Sequence, residues 1–125
     1  MDWIFDNERP IYIQLIEQLE LRILSGVYPM NERLPSVREL AEEAKVNPNT
    51  MQRALQDLES EGLVYTQRTS GRYVTEDKQV LEQARESLAQ ETVDHFLSSM
   101  YRLGFTKKTV IAYLKQSEKE DHYVD

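Results

Sequence analysis

The chain has 125 residues, a formal net charge of -7, 40% apolar and 30% charged residues, and no cysteine. That length allows one ordinary domain or a small domain with an appendage, and the missing thiols exclude disulfides and thiolate metal sites. Acids at Asp2, Asp6 and Glu8 stand where a secretory leader needs positive charge, and no apolar run approaches membrane-spanning length, so the expectation is a cytoplasmic protein with no membrane partner.

Trp3, Ile4 and Phe5 are too apolar for a free tail and are expected to pack. Pro10 suits the first turn of a helix, where its missing donor is not needed. Ile13, Ile16, Leu19, Ile23 and Leu24 follow at helical spacing, and Gly26 and Pro29 end the helix, which runs over about residues 10–25. Residues 26–35 read as a loop, with a very short strand at Arg33–Leu34. Ser36 and Glu39 form a capping box for a helix over 37–44 whose apolar face is Val37, Leu40, Ala41 and Ala44. Val46 is expected to plug the joint to the next helix. Asn47 is a good N-cap and Pro48 a good first residue for a third helix over 48–61, with Met51, Ala54, Leu55 and Leu58 inward and Gly62 as its terminator. Residues 63–66 and 72–75 read as two strands of a hairpin. From Asp77 a helix of about 25 residues carries an apolar stripe through Val80, Leu81, Ala84, Leu88, Val93, Phe96, Leu97, Met100 and Tyr101. Gly104 ends it. Thr106 can cap a final helix with Val110, Ile111 and Leu114, and the tail after Lys119 is polar.

Helix, helix, turn, helix and hairpin is the order of a winged helix-turn-helix. The expected fold is therefore mainly α with a small β wing: an N-terminal winged helix-turn-helix over residues 1–75, then a two-helix C-terminal dimerisation region with a polar tail over residues 76–125. The third helix would offer its opening residues Asn47, Asn49, Thr50, Gln52 and Arg53 to a major groove. Asparagine and glutamine can pair with adenine edges, threonine can touch a thymine methyl, and arginine can reach guanine or phosphate. Arg38 is set near the same surface, and Arg68 and Arg72 place charge on the hairpin.

The charge balance is a counterweight, because affinity for nucleic acid is largely electrostatic. Residues 1–75 hold twelve acids against eight bases and residues 76–125 ten against seven. Yet Arg33, Arg38, Lys45, Arg53, Arg68 and Arg72 all fall between residues 33 and 72, so a local basic face can exist on an acidic chain. Each member also has a plainer reading. Asn47 and Pro48 start helices in any protein, isolated arginines are usually surface residues, and Met51, Leu55 and Leu58 are core. The order of elements, caps and polar opening residues together favours the DNA-binding reading.

The rear helices cannot bury a broad apolar stripe alone. A second copy is the expected partner, with Leu81, Leu88, Phe96, Leu97 and Met100 at the contact; packing against helix 10–25 is the rival. His95 lies beside Asp94, but adjacent helical residues diverge and His122 sits in the tail, so no metal and no cofactor are expected. No glycine-rich phosphate loop and no nucleophile, base and acid group point to an enzyme.

The segment RLPSVRELAEEAKVNPNTMQRALQDLESEGLVYTQRTSGRYV resembles the N-terminal domain of the GntR family of bacterial transcription regulators, over about Pro10 to Val74, through its LPSxREL and NPNTxxRAxxxLExxGLV segments. The two-helix rear half looks like the YtrA-type subfamily by length and pattern. The resemblance implies a homodimer that binds an inverted-repeat operator and usually represses transcription. It implies DNA contacts at Arg38, at Asn47, Asn49 and Thr50, and at Gln52, where some members carry arginine; that departure leaves the operator sequence open. The wing contact maps to Arg68 and Gly71. Regulation stays open among a small-molecule effector between subunits, another protein and expression level alone. The competing function is a winged-helix protein-interaction adaptor without specific DNA binding, favoured by the acidic balance and the C-terminal stripe.

Overall fold

Helix α1 (Ile11–Leu24) starts one residue later than expected, because Pro10 takes the extended backbone of an N-cap (φ -54°, ψ 137°). Leu15, Leu19, Ile23 and Leu24 are its buried face. The other face carries a feature that apolar periodicity does not reveal: glutamines and an arginine hold the N-terminal lead along the helix. Gln18 Oε1 accepts from the Ile4 N–H at 3.0 Å while its Nε2 donates to the Ile4 carbonyl at 2.6 Å. Gln14 pairs in the same way with the backbone of Asp6 and also donates to the Arg9 carbonyl. Arg22, buried, donates to the Met1 carbonyl at 3.0 Å and stacks on Trp3, 3.5 Å from the ring centroid. Backbone partners for both ends of each amide make the lead an ordered strap. Trp3 packs as expected, whereas Ile4 is 74% exposed.

Helix α2 (Val37–Ala44) opens on the expected capping box: Ser36 Oγ accepts from the Glu39 N–H and Glu39 Oε1 accepts from the Ser36 N–H, each at 3.1 Å. It closes on Lys45 in the left-handed region (φ 58°, ψ 46°), a conformation uncommon outside glycine and asparagine. Val46 is half-buried at the joint, and its N–H returns to the Ala41 carbonyl. Helix α3 (Pro48–Ser60) is capped by Asn47 Oδ1, which accepts from the Asn49 N–H at 2.7 Å. Met51, Ala54, Leu55 and Leu58 are buried as expected. Truncating one such leucine to alanine costs about 2–5 kcal/mol, enough to displace α3 from its neighbours.

After Gly62 (φ 83°) come strands β1 (Val64–Gln67) and β2 (Gly71–Val74), antiparallel with Val64 opposite Val74 and Thr66 opposite Arg72. Both strands lie one residue nearer the hairpin turn than expected. The Leu63 N–H still returns to the Leu58 carbonyl and belongs to the helix stop. The short strand expected at Arg33–Leu34 is present as a bridge from Arg33 to Tyr73, with the Leu34 N–H donating to the Arg72 carbonyl at 2.8 Å.

Helix α4 (Lys78–Arg102) follows an Asp77 cap, and α5 (Lys107–Glu120) follows Gly104 (φ 93°) and Thr106. The structure, a computed structural model, describes residues 1–120; His122 and the end of the expected polar tail lie outside them. Two compact units divide within α4. The first, Met1–Arg85, holds α1 to β2 and the opening of α4; its Arg85 donates to the Leu24 carbonyl at 3.1 Å. Its core is Leu15 and Leu19, Leu40, Met51, Leu55 and Leu58, with Leu63, Val64 and Val74 from the wing. The second unit, from Glu86, buries Val110 and stacks Phe105 edge-on against Tyr113. The fold is mainly helical with a small two-stranded wing ahead of the C-terminal helices. Of the residues expected at a dimer contact, Leu81 is instead buried within the first unit and has little surface left to offer. Leu88, Leu97 and Met100 are half-buried, and Phe96 is 40% exposed.

Candidate nucleic-acid interface

The buried face of α3 sets the rotation of the helix, and with it the residues that look outward. With Met51, Ala54, Leu55 and Leu58 inward, helical spacing turns Asn49, Arg53 and Gln56 to solvent, and all three are exposed. Thr50 and Gln52 are half-buried on the two flanks. Asn47 Oδ1 accepts the cap hydrogen bond, which leaves its amide N–H groups and the second lone pair of that oxygen for another molecule. Asn49 gives its backbone N–H to that cap, and its side chain has no partner among the described residues.

The two flanks are built differently. On the α1 side, the Arg53 guanidinium lies 4.3 Å from the Tyr12 ring centroid, and the Tyr12 hydroxyl donates to Asp57 Oδ2. Asn47, Thr50 and Arg53 share an open groove there with Tyr12, Trp3 and Lys45. On the wing side, Glu59 Oε1 accepts from the Thr66 hydroxyl at 2.8 Å and from Arg72 Nε at 3.5 Å, and Arg72 donates to Gln52 Oε1 at 3.5 Å. Thr66 and Arg72 are cross-strand partners, so one carboxylate of α3 holds both strands of the wing. The strand period of two puts them on the same face as the buried Val64 and Val74. Arg72 therefore looks toward α3, with its side chain only 16% exposed, and not out from the hairpin tip.

The tip belongs to Arg68, exposed in the loop between the strands. Gly71 (φ 113°) sits at the start of β2, where an added Cβ would stand 3.2 Å from Arg33 Nε. Arg33 thus lies across the wing backbone at a place where a larger residue would displace it. Arg38 is exposed on α2 with no hydrogen-bond or ion-pair partner among the described residues. Near it, the Ser36 backbone N–H holds the Glu39 carboxyl below its ordinary range, helped by the Ser36 hydroxyl and by the charge of Arg33. The carboxylate is thus occupied with the cap.

Seven of the ten residues expected to meet DNA fall into three groups. Asn47, Thr50 and Arg53 share the groove beside α1. Gln52 and Arg72 are bonded to each other. Arg33 and Gly71 meet at the start of β2, beside the hairpin loop, while Arg38, Asn49 and Arg68 stand separately and exposed. Sequence reading missed the residues that hold these groups, namely Tyr12, Asp57, Glu59 and Thr66. Asp57 and Glu59 each lie four to seven residues beyond a polar residue of the helix opening, a helical spacing that could have flagged them. Tyr12 and Thr66 come from distant segments and left no such signal. No group of acids and histidines among the described residues could hold a metal ion, and no described helix is long and apolar enough to cross a membrane.

Residues 11–74 match the family of bacterial regulatory proteins called the gntR family. The chain is 35% identical over 115 residues to the uncharacterised HTH-type transcriptional regulator YhcF of Bacillus subtilis, covering 92% of this chain and 95% of that protein. It is 32% identical over 111 residues to the transcriptional repressor YtrA of the same organism, covering 88% and 85%. Among solved structures, a GntR family transcriptional regulator from Listeria monocytogenes is similar at 41% identity and a TM-score of 0.83, over 90% of this chain and 98% of that one. The DNA-binding domain of AraR, solved in complex with its operator ORX1, is similar at 27% identity and a TM-score of 0.53, over 58% of this chain and 93% of that domain. The chain belongs to the gntR family. It has the winged helix-turn-helix fold of a DNA-binding transcription regulator, and regulators of this family are not enzymes.

Proposed function

We propose that this gntR-family chain is a homodimeric, sequence-specific repressor that seats the opening of α3 in the major groove of an inverted-repeat operator. The observation that carries the reading is the exposed first turn of α3. Asn49 and Arg53 face solvent while Met51, Leu55 and Leu58 fix the helix from behind and Glu59 ties the wing beside it. Asn49 and Thr50 would meet base edges, and Arg38 and Arg68 would meet phosphate, the first from α2 and the second from the wing. Repression would follow from occupying promoter DNA, with no chemistry on it, and would place the protein in the cytoplasm.

Dimerisation is assigned to the second unit. Phe96, Val93, Tyr101, Leu103, Ile111, Tyr113 and Leu114 are all exposed on a single chain, more apolar surface than an isolated helix pair keeps in water. A twofold pair would address half-sites one helical turn or a multiple apart, about 34 Å for one turn. The match in length to the repressor YtrA supports placing the chain in the YtrA-type subfamily. Control would come from the amount of dimer, with a ligand taken between subunits as a second route. Selection of bound duplexes from a random library, followed by footprinting, tests the proposal. A twofold-symmetric consensus is the expected result, whereas uniform binding or none would reject it in favour of a protein-interaction adaptor.

A further inference from the structure

Within the DNA-binding reading proposed above, we infer that Tyr12 and Asp57 position Arg53 to read a guanine, so that one base of each half-site is chosen by α1 together with α3. Arg53 is exposed on the flank of α3 that also carries Asn47 and Thr50, and the three line one groove with Tyr12. Its guanidinium lies 4.3 Å from the Tyr12 ring centroid. That contact draws on the charge of the cation and on no acceptor atom. The N–H groups of Arg53 have no hydrogen-bond partner among the described residues. Asp57 stands one turn further along α3, where helical spacing suits an ion pair with Arg53. No such pair forms among the described residues, and the half-buried Asp57 accepts from the Tyr12 hydroxyl instead.

A tyrosine hydroxyl has a single hydrogen, and Tyr12 gives its hydrogen to Asp57. While that bond holds, Tyr12 has no donor for a phosphate, and its effect on DNA runs through Arg53. The ring is fixed at one end by the α1 backbone and at the other by α3, so the surface that carries the cation is itself held. Ordering a long side chain at an interface opposes binding, and a guanidinium already held loses less freedom when it meets its target. Guanine presents N7 and O6 as a fixed pair of acceptors on one edge, the target of a bidentate arginine. A phosphate accepts from many directions and gains little from a cation held in one place, whereas a base edge gains most. Guanine is therefore the target this arrangement favours. Tyr12 and Asp57 are positioning residues: they need not touch the base, but they set where the cation that reads it stands.

The test measures base preference by random-duplex selection, and affinity for the selected operator, in the full chain and its variants. Arg53→Met, unbranched and uncharged, identifies the position that Arg53 reads: the parent should select guanine there and the variant should lose that preference. Tyr12→Leu removes the platform. It should relax the same position, leave the other positions as they are, and weaken operator binding by about twofold to tenfold per half-site. Tyr12→Phe keeps the ring but frees it from Asp57, so its guanine preference should lie between those of the parent and Tyr12→Leu. Asp57→Ala removes the same bond from the other end and should match Tyr12→Phe in base preference. With Arg53→Met already present, Tyr12→Leu should weaken binding no further. A guanine preference that Tyr12→Leu leaves intact overturns the inference. So does an equal loss from Tyr12→Leu with and without Arg53, the mark of a direct or merely structural role. An Arg53→Met chain that weakens on all duplexes evenly, as for a phosphate contact, or that binds like the parent, overturns it too. Each of these leaves the repressor proposal standing, whereas a parent without specific binding overturns both.

Discussion

Phe96→Ala should weaken self-association without unfolding the chain. Full burial of a phenylalanine side chain contributes about 1.5–3 kcal/mol. In one chain Phe96 keeps 40% of its surface exposed, so the part left for an interface corresponds to about 1 kcal/mol per protomer. A twofold contact counts it twice, and losing about 2 kcal/mol raises the dimer dissociation constant about 30-fold. Phe96→Asp should do more, since a carboxylate at the same place must be desolvated as well. Sedimentation across a concentration series reads the constant, and circular dichroism checks that helix content is retained. A parent that sediments as a monomer at micromolar concentration would refute the reasoning. So would a Phe96→Ala chain that associates like the parent.

Asn49→Ala and Thr50→Ala should lower the ratio of operator to non-operator affinity, each by about 1–3 kcal/mol if its contact is a good base contact; competition binding reads the ratio, and an unchanged ratio removes the residue from the reading surface. Arg38→Ala should weaken binding evenly across sequences and reduce the salt slope by about 1 per half-site, as expected of a phosphate contact. A sequence-dependent loss on a salt titration would instead make Arg38 a base reader. For pH, the Glu39 carboxyl is held below its ordinary range by the Ser36 N–H. Its contribution to the α2 cap is therefore present above the unfolded carboxylate value and lost as pH falls through the folded value. Amide protection in the first turn of α2 should fall on acidification, and Glu39→Gln should remove that dependence; equal pH profiles in the two proteins would contradict it.

Most of the architecture was legible because its signals are local. The Ser36–Glu39 box, the Asn47–Pro48 start and the leucine spacing of α3 each act within a few residues, and the structure realises all three. Gly62 marked the end of α3 for the same reason. What escaped was either a neighbour brought in from far along the chain or a backbone choice unusual for its residue. Lys45 adopts a left-handed conformation with no side-chain cue. Gln14, Gln18 and Arg22 add nothing to the apolar period of α1, yet they bind the lead from Met1 to Arg9. Arg72 was legible as a positive residue of the wing. Its direction was not, because the packing of Val74 on the same face and the distant carboxylate of Glu59 decide it.

That redirection of Arg72 bears on how an acidic chain can act on DNA. Of the six cations between residues 33 and 72, Arg72 is bonded to Glu59, Arg53 is stacked on Tyr12, and Arg33 lies across Gly71. Arg38, Lys45 and Arg68 are exposed and unpartnered among the described residues. Three phosphate contacts per half-site correspond to a salt slope of about -3, which is small, and a module so weakly charged should hold non-specific duplex poorly. A single half-site is then a weak ligand. Linking two modules turns the second contact into an intramolecular event at millimolar effective concentration, and multiplies operator affinity by about 10²–10⁴ without adding a contact. On the proposed dimer, the exposed apolar residues of the second unit and the sparse charge of the first would be complementary, with little binding drawn from phosphate and more from pairing. Damage at Phe96 should therefore appear in operator binding most strongly at protein concentrations near the dimer dissociation constant, and fade when the protein is concentrated enough to restore the pair.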